Sequence, residues 1–357
     1  MMQEHWENLD ILREPLLDWY DAHRRILPWR EDPSPYRTWV SEIMLQQTRV
    51  AAVLPYFDRF MAELPDVRAL AEVSEERLFK LWEGLGYYSR ARNLHRAAKL
   101  VVSDYGGELP RTFDELRKLP GIGDYTAAAI ASINCGAAEP AVDGNLLRVA
   151  ARVCGCAGDV TDAKEKKLFR ARMAASIDRE RPGAWNQAMM DLGATVCLPN
   201  GAPLCGECPA RAFCAAYREG LTETLPVRAE KKKRRAEERT VFLLLRGGKL
   251  AVRRRPDTGL LAKLMEFPNV AGSLDESGAC VTLAQWGLDA KTLKPCGTAM
   301  HIFTHIEWQM KGYIAEVSGE GSGFRWVDAR ELETLAIPTA FKAYTGQAWA
   351  LLFENKE

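Results

Sequence analysis

Apolar positions recur with a helical rhythm along the first part of the chain. Ile43, Val50, Leu54, Phe57 and Met61 stand three, four or seven residues apart, the spacing of one buried helix face. Leu78, Leu81 and Trp82 begin a similar stripe, and Leu94, Ala97, Ala98 and Val101 form another. Thr112-Phe113-Asp114-Glu115 reads as a capping box, in which the Thr hydroxyl and the Glu carboxylate satisfy orphan amides at a helix start. Residues 1–220 therefore predict a mostly α-helical domain.

The texture then changes. Arg228 to Arg239 reads RAEKKKRRAEER, seven basic residues against three acidic, with no apolar period. Such a run is a solvated linker or a segment passing close to nucleic-acid phosphates, and residues 221–239 are read as the linker. Beyond it, Val241–Leu245 predicts a strand, Gly247-Gly248 a hairpin, and Leu250–Arg253 the return. Ala299–Thr304, Trp308–Val317 and Phe324–Val327 are further strand candidates, so residues 240–357 predict a second, α+β domain. No internal repeat or low-complexity tract is visible.

Composition adds little to this division. The 357 residues exceed a usual single domain, and 47% hydrophobic with 27% charged residues is ordinary for a soluble protein. Basic and acidic residues number 48 each, so any grip on DNA has to come from local Arg and Lys and from backbone amides. The start, MMQEHWENLD, is acidic without an apolar run, and nothing approaches the roughly 18 apolar residues of a membrane span. A cytoplasmic protein of bacterial type, with no membrane partner, is expected.

Nine cysteines in a reducing compartment turn attention to metal. Cys197, Cys205, Cys208 and Cys214 fall within 18 residues in the order C-x7-C-x2-C-x5-C. One short loop carrying four thiolates wraps a single centre without long closure, and by spacing alone zinc and iron–sulfur both stand. Cys135, Cys154, Cys156, Cys280 and Cys296 read as ordinary core residues.

Leu119-Pro120-Gly121-Ile122-Gly123 joins the helix capped at Thr112 to a second one running from Thr126 to Ile133. Glycines let backbone amides approach a ligand, and the second helix then aims its positive end at an anion. Ala127, Ala128, Ala129 and Ala131 allow that helix to pack closely. Residues 119–130 thus form a helix-hairpin-helix pattern, which grips DNA backbone without reading sequence. Two carboxylates stand out nearby. Glu42 lies beside Ile43 and Met44, where burial would raise its pKa, although a lone helical Glu is ordinarily a surface charge. Asp143 precedes Gly144-Asn145 and an apolar-periodic helix, the position of an N-cap. Backbone hydrogen bonds at that position would keep it ionised.

The hairpin and the cysteines together resemble the endonuclease III superfamily of glycosylases. Within it, LPWR at Leu27–Arg30, WVSEIMLQQTRV at Trp39–Val50, WEGLGYYSRARNLH at Trp82–His95, AVDGNLLRVAAR at Ala141–Arg152 and WNQAMMDLGATVC at Trp185–Cys197 are similar to the MutY-type adenine DNA glycosylases. The likeness covers residues 7–346. It implies a helix-hairpin-helix domain with a 4Fe-4S cluster on the 197–214 loop, although the family spaces its first two cysteines by six residues and this chain by seven. It also implies a monomer acting on double-stranded DNA with A·8-oxoguanine or A·G mispairs. Glu42 would protonate adenine at N7, Asp143 would stabilise the cationic sugar, and Tyr125 and Asn145 would support it. Bifunctional relatives carry a lysine where this chain has Tyr125, and a phenol forms no imine, so a monofunctional enzyme is expected. Arg25, Trp29, Arg30, Leu45 and Gln187 would surround the extruded adenine. Gln46, Gln47, Thr48, Leu85 and Tyr87 would meet the duplex, as would Gly121, Ile122 and Gly123 of the hairpin.

Residues 240–357 resemble that branch's Nudix-like C-terminal domain. A working Nudix hydrolase needs a run of glutamates for magnesium, whereas Gly272–Leu288 holds one, Glu276. A binding module is expected, reading 8-oxoguanine through Phe303, Thr304 and His305, where relatives usually carry Phe-Ser-His. The rivals are a thymine or other pyrimidine mismatch glycosylase of the same superfamily and a non-catalytic iron–sulfur DNA-binding protein.

Overall fold

A computed structural model describes residues 4–229 and 233–354, so Glu230–Lys232 of the basic run lie outside the described residues. The chain forms two compact units, one of residues 1–72 with 92–230 and one of 73–91 with 231–357.

The first unit is helical, as the periodicity predicts. It begins with α1 (Asn8–His23), α2 (Pro28–Glu31), α3 (Pro35–Leu45), α4 (Val50–Glu63) and α5 (Val67–Glu72). Ser34 starts α3 by accepting the Arg37 N–H at 3.2 Å, with Pro35 in the first turn where a missing N–H costs nothing. The single helix face expected from Ile43 to Met61 is in fact split. The chain turns at Gln46–Arg49, with Gln47 in the left-handed region at φ 61°. Because the helix restarts, its period restarts too: Val53, Phe57 and Phe60 are buried, while Leu54 and Met61 are only half-buried.

Beyond α6 (Glu75–Trp82), which belongs to the second unit, and α7 (Ser89–Asp104), come α8 (Phe113–Leu116), α9 (Asp124–Cys135), α10 (Gly144–Cys154), α11 (Ala163–Ser176), α12 (Pro182–Thr195) and α13 (Ala215–Arg218). The stripe Leu94, Ala97, Ala98 and Val101 is fully buried, as expected. The capping box forms only in part. The Thr112 hydroxyl accepts the Glu115 N–H at 3.4 Å and donates to the Glu115 carboxylate at 2.8 Å, which occupies the carboxylate expected on the Thr112 amide. Ala127–Ala129 and Ala131 have no exposed surface, and α9 packs on α3 and α12. At Gly183 of α12 a Cβ would stand 2.7 Å from the Ile133 Cα, so that approach depends on glycine.

The second unit is a mixed sheet in the order β3-β2-β1-β6-β5, with β4 on β1 and β7 on β2. Its strands are β1 (Arg235–Arg246), β2 (Lys249–Arg254), β3 (Met265–Glu266), β4 (Asn269–Ala271), β5 (Asp289–Ile302), β6 (Ile306–Ser318) and β7 (Arg325–Val327). Helices α14 (Glu276–Gln285), α15 (Ala329–Thr334) and α16 (Lys342–Glu354) complete it. One face of the sheet packs Val241, Leu243 and Trp308 against Phe341 and Tyr344, and the other packs Phe242, Leu244 and Tyr313 against Leu283. Burial on both faces explains why Val241–Leu245 is continuously apolar. Strand β1 nevertheless begins at Arg235, inside the segment read as linker, because parallel pairing from Arg235↔Ile306 onward uses backbone groups only.

Residues 73–91 join this unit through specific bonds. Glu83 Oε1 accepts the Ile337 N–H at 3.0 Å, and Lys80 Nζ donates to the Leu335 carbonyl at 3.2 Å. Among the described residues no helix is long and apolar enough to cross a membrane.

Candidate active site

A cleft of about 1470 Å³ opens in the first unit, and the predicted residues Arg25, Trp29, Arg30, Glu42, Leu45, Tyr125, Asp143, Asn145 and Gln187 all line it. They come from positions as distant in sequence as Arg25 and Gln187, brought together by the packing of α2, α3, α9, α10 and α12.

Glu42 lies on α3 and is 6% exposed. The Tyr125 hydroxyl donates to its Oε2 at 2.5 Å. Burial pushes the carboxyl up to about 7; the Tyr125 bond opposes this, neighbouring Asp143 adds to it, and Arg30 and Arg25 oppose it. Tyr125 itself is held well above the usual phenol value, chiefly by burial, so it remains a donor.

Asp143 caps α10. Its Oδ1 accepts the backbone N–H groups of Asn145 and Leu146, each at 2.8 Å, and its Oδ2 accepts Asn145 Nδ2–H at 2.7 Å. Asp143 is the N-cap of α10, as expected. Burial raises this carboxyl, and the three donors only oppose the rise. Asn145 is held in turn, its Oδ1 accepting Arg148 Nη2–H at 2.9 Å. Arg148 also donates to the Gly193 carbonyl at 2.6 Å and the Cys197 carbonyl at 2.7 Å. A Cβ on Gly193 would stand 2.6 Å from the Asn145 Cβ, so only glycine lets α12 come this close.

Sequence reasoning missed Arg148, Gly193, Tyr20 and Asp191. Tyr20 donates to Gln187 Oε1 at 3.1 Å. Asp191 has no exposed surface and holds both Arg25 and Arg30. Its signal was a lone acid in Met189-Met190-Asp191-Leu192-Gly193, a helix stretch with no other charge. Trp29 is buried edge-on against Phe57, with ring centroids 5.1 Å apart.

The residues expected at the duplex divide. Gln47 and Tyr87 are exposed, both at positive φ, and Gln46 and Thr48 are half-buried beside the cleft. Leu85 is buried and so faces core rather than solvent. In the hairpin Ile122 is buried, Gly121 has φ 80°, and Gly123 caps α9 with open space before it and no side chain on its first amides. Arg117 neutralises Asp124 in that first turn at 2.6 Å. In the second unit β5 stops at Ile302, so Phe303–His305 form the β5–β6 turn instead of a strand end. Thr304 and His305 are exposed, and Phe303 rests on Trp308 with centroids 4.9 Å apart. The Tyr87 hydroxyl meets Thr304 Oγ1 at 2.7 Å.

Cys197, Cys205, Cys208 and Cys214 line one small cavity walled by Val149, Val153, Leu192 and Val196. Arg152 Nη1 donates to Cys197 Sγ at 3.3 Å. Burial pushes the Cys208 thiol up to about 12, which a bound cation would reverse. Among the described residues no three His, Cys, Asp or Glu side chains converge tightly enough for a single metal ion. All four thiols face this one apolar-walled cavity, a donor set that would suit a thiolate-held metal centre. Of the remaining cysteines, Cys154 and Cys156 are core, whereas Cys280 is exposed on α14, against expectation.

Residues 40–174 match the HhH-GPD superfamily of base excision DNA repair proteins, and residues 240–347 match the NUDIX domain. The human adenine DNA glycosylase is 35% identical over 94% of this chain and 74% of its own length. That of Buchnera aphidicola from Acyrthosiphon pisum is 30% identical over 92% and 95%. Among solved structures, a thermostable thymine-DNA glycosylase matches at TM-score 0.55 and 26% identity, covering 60% of this chain and 98% of its own. A non-covalent endonuclease III–DNA complex matches in fold at TM-score 0.51 and 23% identity, over 60% and 98%. With two relatives aligned along nearly its whole length, the chain belongs to the adenine DNA glycosylase family.

Proposed function

We propose that the chain hydrolyses the N-glycosidic bond of adenine paired with 8-oxoguanine, and with guanine, in duplex DNA, leaving an abasic site. The observation that carries this is the buried Glu42, its carboxyl pushed up to about 7, facing the same cleft as the three-donor carboxylate Asp143. The adenine leaves the stack to enter the cleft. Glu42 gives its proton to adenine N7, and the C1′–N9 bond breaks with its electrons on the base. Asp143 stabilises the cationic sugar that remains. Water then adds to C1′ and returns a proton to the carboxylate of Glu42. With Tyr125 in place of a lysine, no imine intercepts the sugar.

The helical residues 1–220 carry this chemistry, and residues 240–357 read the opposite base through Phe303, Thr304 and His305. Thr304 keeps the hydroxyl that recognition of an oxidised purine edge calls for. Cys197, Cys205, Cys208 and Cys214 hold a 4Fe-4S cluster, which supplies a fixed scaffold for the loop they occupy. A visible absorption band lost with iron would support that, and a colourless zinc protein would revive zinc.

Single-turnover cleavage of duplexes with A·8-oxoguanine, A·G, A·T or T·G tests the reading. Adenine release from the first two, absent in Glu42→Gln and Asp143→Asn, is expected. Thymine release from T·G would replace this reading with the mismatch glycosylase that the 26% structural likeness brings to mind.

A further inference from the structure

Asp191 is buried on α12, behind two arginines that line the cleft, and its carboxylate receives five donors. Arg30 forks onto it, Nη1 at 2.7 Å to Oδ2 and Nη2 at 2.9 Å to Oδ1. Arg25 adds Nε at 2.7 Å and Nη2 at 2.5 Å to Oδ1, with its backbone N–H at 3.2 Å to Oδ2. Among the described residues Asp191 is the only ion-pair partner of either arginine. Both arginines line the cleft that holds Glu42.

The charges facing Glu42 come from every side. Tyr125 reaches it from α9, Asp143 from the cap of α10, Arg30 from α2 and Arg25 from the segment before it, with Arg49 and Arg148 further along the wall. Two guanidiniums beside a carboxyl favour its anion. An ionised Glu42 has no proton to give a leaving base, so the cleft needs these arginines near the base and needs their charge offset.

We propose that Asp191 is a positioning residue that acts through charge, offsetting one of the two positive charges of Arg25 and Arg30 so that Glu42 keeps its proton. This rests on the reading of Glu42 as the acid. Burial would raise the Asp191 carboxyl, but the bonds and charges of Arg30 and Arg25 hold it below the usual carboxylate range. Its negative charge is therefore present wherever the enzyme works. A purely structural clamp would need only that the two arginines be held; a charge offset must also show in the proton on Glu42.

The test follows the Glu42 carboxyl by carbon-13 NMR in full-length protein labelled at glutamate, with Glu42→Gln identifying the signal. Asp191→Asn is expected to lower its titration midpoint by about one pH unit or more, and the alkaline limb of single-turnover adenine release moves down with it. Arg25→Gln raises the midpoint. The double variant Arg25→Gln/Asp191→Asn, which removes one charge of each sign, returns it close to the parent. A midpoint unmoved in Asp191→Asn, with release slowed equally at every pH, overturns the proposal. If Asp191→Asn does not fold, the double variant compared with Arg25→Gln alone decides: a lower midpoint in the double variant supports the proposal and an equal one overturns it. Because the NMR titration needs no turnover, a parent protein that releases no adenine sinks the adenine reading while the order of midpoints still judges Asp191.

Discussion

Glu42, Tyr125 and Asp143 come from three separate helices or their caps and line one cleft, with Asp191 held behind it by Arg25 and Arg30, whereas Phe303, Thr304 and His305 are consecutive residues on a hairpin turn. In the cleft the surroundings decide what each group is: burial pushes Glu42 up to about 7 and raises Asp143, while two arginines hold Asp191 down. At the turn, Thr304 and His305 are exposed, and Thr304 Oγ1 meets only the Tyr87 hydroxyl among the bonds the described residues show. Chemistry that changes a proton's address needs low dielectric and many fixed neighbours, while recognition of a base edge needs groups presented outward.

The largest way to break that contrast is at the acid. Glu42→Gln keeps the Tyr125 contact but has no transferable proton, and single-turnover adenine release is expected to fall about 10²–10⁴-fold. Asp143→Asn follows closely. Asn remains a good cap, so thermal unfolding changes little while release falls about 10²–10³-fold. A large loss of stability in place of lost rate would mean that Asp143 is only a cap.

Gly193→Ala comes next. Its Cβ would press on Asn145 at 2.6 Å and displace the residue that holds Asp143. Release is expected to slow about 10–100-fold with DNA affinity retained. At the turn the effect is smaller and of another kind. Thr304→Ala should reduce the preference for A·8-oxoguanine over A·G about 3–10-fold, the worth of one hydrogen bond, with release from A·G unchanged. Full preference in that variant would remove Thr304 from recognition.

The smallest change sharpens the cleft itself. Release needs protonated Glu42 and ionised Asp143, so it should decline as pH rises through about 7 and fall again at lower pH as Asp143 takes a proton. The Tyr125 O–H favours the ionised form, so Tyr125→Phe raises the Glu42 pKa and shifts that decline to higher pH. A pH–rate profile of the two proteins checks the sign.

The sequence showed these two regions unequally. Periodicity marked the helical part because one buried face per helix leaves a 3.6-residue trace, as at Leu94–Val101. It failed at Ile43–Met61, where the turn at Gln46–Arg49 resets the phase without a glycine or proline to announce it. Contiguous motifs, such as the 119–123 hairpin and the cysteine loop, were visible as spacing. The roles of Glu42 and Asp143 came only from resemblance, since no local pattern tells a buried Glu from a surface one. Asp191 and Arg148 escaped because each acts across packed helices: Arg148 reaches Cys197, and Asp191 reaches Arg25. The end of the basic run was read as linker because strand pairing at Arg235–Glu238 leaves no apolar signature.

The uncapped start of α9 carries one more consequence. Gly123 offers no side chain to the first amides of the helix, and the space before it is open. In the free protein those amides should trade hydrogen for deuterium as readily as surface loops do, frayed by the lack of a partner. A duplex phosphate seated there would act as the missing cap. Exchange at residues 124–126 would then slow on any double-stranded DNA, mispaired or not, marking a protein that is held to its track before it finds its target.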